Sequence, residues 1–116
     1  MTISDALEKA NRMNLLYDFY APLLTDKQQK YLQYYFHENY SLAEIAGQFH
    51  ISRQAVYEHI RRSEVALEEY ELHLKLLENF EKRTDYLQQM EQVVETLGEE
   101  EQVAQLKAMI RKLKQC

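Results

Sequence analysis

The chain has 116 residues, 46% of them hydrophobic and 28% charged, with a formal net charge of -5. That is enough apolar content for one small domain, alone or with an appendage. Two glycines and one proline imply long helices with few turns. No run of alternating β-branched residues argues for a sheet. The single cysteine, Cys116, cannot form an intramolecular disulfide, which fits a reducing compartment. No apolar run approaches the roughly 20 residues of a membrane span, and the charged N-terminus does not resemble a secretory leader. The expected location is therefore the cytoplasm.

Apolar residues at Ile3, Leu7, Ala10, Met13 or Leu16, and Tyr17 predict a first helix, capped by Thr2 or Ser4 and ending near Pro22. A second begins at "TDKQ", where Thr25 and Gln28 form a capping box. Its buried stripe is Tyr31, Leu32, Tyr35 and Phe36, with Tyr34 at the surface; "HENY" ends the pattern and Tyr40 covers the following turn. A third, short helix starts at Ser41, which forms a capping box with Glu44. It turns Leu42, Ile45, Ala46 and Phe49 inward and stops at His50. Ser52 caps a fourth, with Val56, His59 or Ile60, and Ser63 inward. From Val56 the stripe runs on through Ile60, Ser63, Leu67, Tyr70, Leu74 and Leu77, in steps of four and three. Read as one helix of roughly 28 residues, it would span about 42 Å, longer than a domain about 26 Å across. That length argues for a homodimer seam. The pattern restarts at Tyr86 or Leu87, continues through Met90, Val94 and Leu97, and stops at Gly98. A last helix carries Val103, Leu106, Ile110 and Leu113. Its acidic start and its basic end (Lys107, Arg111, Lys112, Lys114) complement the helix dipole.

The expected fold is all-α: a helix-turn-helix domain over residues 1–66, with the motif at 41–64, and a C-terminal helical extension over 67–116 that packs or dimerises. Ala46 permits the close crossing of the two motif helices, and Ile45, Phe49, Ile51, Val56 and Ile60 anchor them. The turn needs a residue in the left-handed region. His50 stands where glycine is usual, and histidine enters that region more readily than most residues. The outward residues of the second motif helix are the candidate site. Arg53 suits guanine and Gln54 suits adenine; Ser52, Tyr57, Arg61 and Arg62 suit phosphate, and Lys27 and Lys30 could clamp the same backbone. Strong binders make about 6–10 phosphate contacts. These few cations, with Glu58 among them, predict weak binding by a monomer. The histidines lack metal-ligand spacing, and there is no nucleotide loop or nucleophile with a base. No metal, cofactor or enzymatic activity is expected.

Residues 24–67 resemble the promoter-reading helix-turn-helix of bacterial sigma factors. "YDFYAPLLTDKQ" and "ISRQAVYEHIRR" make nearly the whole chain similar to the YlxM-type helix-turn-helix proteins of Gram-positive bacteria. That resemblance implies a regulatory protein associated with the signal recognition particle pathway, with the particle's RNA or GTPase as partners. The alternative is a sequence-specific DNA-binding transcriptional regulator. Neither reading involves a membrane.

Overall fold

The starts of the first four α-helices are set by hydroxyl caps. In the computed structural model, which describes residues 2–116, Thr2, Thr25 and Ser41 each accept the backbone N–H three residues on. The Asp5, Gln28 and Glu44 side chains each accept from the N–H of the cap, completing three capping boxes. These open α1 (Ile3–Tyr20), α2 (Asp26–Leu32) and α3 (Leu42–Phe49). Ser52 caps α4 (Arg53–Leu74) through the Ala55 N–H. The remaining helices are α5 (Leu76–Glu95) and α6 (Glu101–Lys114). The fold is all-α, a helix-turn-helix bundle with C-terminal helices, and no strand occurs among the described residues.

Residues 1–77 and 78–116 form two compact units. The first is organised on α4, whose Val56, Ile60, Ser63 and Leu67 are buried with Leu16 and Tyr20 of α1, Tyr31 and Leu32 of α2, and Ile45 of α3. Ion pairs between Lys9 and Glu64 (2.9 Å) and Arg12 and Glu68 (2.7 Å) fasten α1 across α4. The first turns of α1 lie outside this core: Ile3 and Leu7 are exposed, and the inward face begins at Met13.

Tyr34, expected at the surface, is partly buried, and so are Tyr35 and Phe36, expected in the buried stripe. A π-helical stretch, Gln33–His37, follows α2, with the Glu38 N–H bonded to the Gln33 carbonyl. The extra residue per turn rotates the ring set. Tyr34 stacks on Tyr40 (5.0 Å between centroids) and packs edge-on to Phe49, and Tyr35 and Phe36 share its half-buried state. The stripe from Val56 to Leu77, expected along one helix, is divided between two. The chain breaks at Lys75, in the left-handed region with φ 54°. Leu74 is therefore half-exposed, while Leu77 re-enters the core of the first unit. The long seam, and the argument for a dimer through it, goes with the continuous helix.

The break is built by a contact 51 residues apart in sequence. The fully buried Tyr20 donates its hydroxyl to Glu71 at 2.6 Å. Glu71 accepts from the Leu77 N–H (3.0 Å), and the Tyr20 oxygen accepts from the Leu76 N–H (3.0 Å). Two of the amides that every helix start leaves without a partner are thereby capped from α1 and α4.

The second unit is a hairpin. α5 and α6 meet through Leu87, Val94, Val103 and Ile110. Salt bridges join Lys107 to Glu95 and Lys114 to Glu91; the rising numbers on one helix meet falling numbers on the other, so the two run antiparallel. Gly98, at φ 92°, sits in the turn. Met90, Leu97, Leu106 and Leu113, expected on the inward faces, stay about half-exposed.

Candidate nucleic-acid interface

The turn between α3 and α4 has the geometry its sequence suggested. His50 ends α3 in the left-handed region, at φ 55° and ψ 43°. The Ile51 N–H returns to the Ala46 carbonyl at 3.2 Å. Ile45, Ala46 and Val56 are buried on the two sides of the turn. His59, half-buried, stacks on Tyr31 with ring centroids 4.9 Å apart. Since a left-handed backbone costs a non-glycine residue roughly 1 kcal/mol or more, His50→Gly is expected to stabilise the first unit by about 0.5–1 kcal/mol. Urea denaturation of both chains measures this; a loss of stability would mean that the imidazole makes a contact worth more than the relief.

The candidate side chains on α4 emerge from this frame. Arg53 and Gln54 are exposed in the first turn, and Tyr57 is 51% exposed one turn on. With Leu42 of α3 these three line one surface depression. Ser52 is exposed, but its hydroxyl oxygen is engaged as the α4 cap. Arg61 is turned toward Glu64 at 3.7 Å, and Glu64 also holds Lys9. Arg62 is exposed. At 100° per residue it lies half a turn around the helix from Arg53, on a different flank. Lys27 and Lys30 are exposed on α2, outside the depression. Glu58 is exposed one turn after Gln54, on the same side of α4.

A further signal for this site lies in the helix starts themselves and is visible in the sequence. The first turns of α1, α2, α3, α5 and α6 carry Asp5, Asp26, Glu44, Glu78 and Glu101. The first turn of α4 carries no acid and begins with Arg53. Carboxylates there satisfy the positive end of a helix dipole, whereas a cation opposes it. A helix start with free N–H groups, no carboxylate and an added guanidinium favours an incoming anion.

No helix among the described residues is long and apolar enough to cross a membrane. Residues 7–109 match the family model described as "Putative helix-turn-helix protein, YlxM / p13 like". Among similar proteins, a UPF0122 protein of Shouchella clausii is 57% identical over 77 residues, covering 66% of this chain and 71% of that one. A UPF0122 protein of Geobacillus sp. is 57% identical over 77 residues, covering 66% and 70%. One from Halalkalibacterium halodurans is 56% identical over 78 residues, covering 67% and 72%. With the motif built as above and the model spanning residues 7–109, the chain belongs to the YlxM/p13-like (UPF0122) helix-turn-helix family.

Proposed function

We propose that this is a regulatory protein that binds duplex nucleic acid through the N-terminal end of α4. The observation that carries the reading is the acid-free first turn of α4, with Arg53, Gln54 and Tyr57 open around one depression. In a docked helix-turn-helix the first residues of the second helix meet base edges. Arg53 then takes a guanine edge and Gln54 an adenine edge, each a bidentate pairing. Tyr57, Arg61, Arg62 and Ser52 serve the phosphates, and Lys27 and Lys30 extend the backbone contacts from α2.

The second reading places the protein in the signal recognition particle pathway, bound to the particle's RNA or GTPase. It is favoured by the sparse charge of α4, where Glu58 faces outward among three arginines and weakens any phosphate contact. Anisotropy of labelled DNA duplexes and of the particle's RNA separates the two. Duplex binding above RNA binding supports the first, and the reverse order replaces it with the second.

Glu58 offers a direct handle on the electrostatics. Glu58→Lys is expected to raise duplex affinity about three- to tenfold at low salt and to steepen the salt dependence by about one phosphate contact. A salt titration of both chains checks it; an unchanged slope would place phosphate away from this face.

A further inference from the structure

We infer that the second unit is an interaction surface for a second copy of the same chain. The unit holds residues 78–116 and buries four aliphatic side chains, Leu87, Val94, Val103 and Ile110. Chains below about 40 residues rarely stand on so small a core without a partner. On α5, Met90 follows the buried Leu87 by three positions, and Leu97, in the turn just beyond α5, follows the buried Val94 by three. On α6, Leu106 and Leu113 do the same. Three residues at 100° each turn these side chains about 60° from the buried contact, in the same rotational sense on both helices. Because α5 and α6 run antiparallel, equal rotations bring both stripes to the same side of the hairpin. Tyr86 and Val93 widen the α5 stripe, and Met109 widens that of α6.

These residues are between 44% and 64% exposed. Together they present roughly 700 Å² per copy, against about 300–600 Å² for the largest patch of a typical monomer and about 800 Å² per partner in a standard interface. Charge selects the occupant. α5 holds five acids and two bases, a net -3; α6 holds four bases and one acid, a net +3. A second copy related by a two-fold axis parallel to the helices sets α5 on its α6, apolar face to apolar face and acidic helix to basic helix. The product is a four-helix bundle with every neighbouring pair antiparallel. It differs from the seam first expected along α4, where Val56, Ile60, Ser63 and Leu67 are buried in the first unit.

Sedimentation of the full chain across a dilution series tests this. The expected mass is twice 14.0 kDa, with dissociation on dilution. Met90→Gln and Met109→Lys, each replacing an exposed side chain, are expected to weaken the dimer about tenfold or more by placing a polar group in the interface. Gln88→Glu, on the far side of α5, leaves it unchanged. Near-UV dichroism, dominated by the tyrosines of the first unit, shows that the variants stay folded there. A wild-type chain monomeric at every concentration, or a dimer indifferent to both methionine changes, overturns the proposal.

Discussion

Glu71→Ala is expected to cost about 3 kcal/mol of folding stability, a large effect for a residue whose type is usually found in water. The carboxylate is buried, accepts the Tyr20 hydroxyl and caps the Leu77 N–H. Its removal leaves a buried phenol without its acceptor and a helix-start amide without a cap, at roughly 1–3 kcal/mol each. Tyr20→Phe removes the other half of the device and uncaps Leu76, so about 2 kcal/mol is expected there. The double variant should lose less than the sum, since the two side chains act on one another. Urea denaturation of the four chains gives all the values; strict additivity would mean that the contact is not a unit.

The same device sets an alkaline limit. Burial, and then the hydrogen bond to Glu71, raise the Tyr20 phenol above its ordinary value of 10.0. A group whose pKa is raised on folding contributes stability that is complete below the unfolded value and is lost as pH rises through the folded one. Stability should therefore fall above pH 10, and this component should be absent from Tyr20→Phe.

Arg53→Ala is expected to lower duplex affinity by about 10- to 100-fold, the equivalent of one bidentate base contact worth 1–3 kcal/mol. The same change should leave folding stability equal or raise it by about 0.3–1 kcal/mol, because a cation at the start of α4 opposes the helix dipole. Opposite signs for binding and stability are what separate a contact residue from a structural one. Arg62→Ala and Lys27→Ala remove exposed charges away from the depression. They should weaken all duplexes alike, with the salt slope reduced by about one each. If Arg53→Ala instead destabilised the fold and left affinity untouched, Arg53 would belong to packing.

What could be read from the sequence was local. Thr25 with Gln28, and Ser41 with Glu44, announce their helix starts within four residues, and the structure has both boxes. His50 could be placed in the left-handed region because the turn geometry demands it there. What could not be read was made at a distance or by an excess of one residue. Lys75 carries no breaker signal; the chain stops there because Tyr20 reaches Glu71 and the two amides beyond it. The π-helical stretch leaves no mark in a period-3.6 reading, which cannot show that Tyr34, Tyr35 and Phe36 share the core's edge half-buried. In the hairpin, the period placed Leu87, Val94, Val103 and Ile110 correctly. It could not say that Met90, Leu97, Leu106 and Leu113 would lie outside a two-helix contact too narrow to cover both stripes. In the candidate interface the residue types and the outward placement of Arg53 and Gln54 were legible, but the depression they share with Leu42 needed the crossing of α3 and α4.

Selection from a randomised duplex library, run in parallel with the wild-type chain and Arg53→Ala, tests the central claim most directly. If the start of α4 reads bases, the wild-type chain enriches a discrete motif containing guanine, and Arg53→Ala loses preference at that position while keeping its fold. If the wild-type chain enriches no sequence, or both chains enrich the same one, α4 does not read duplex nucleic acid through Arg53.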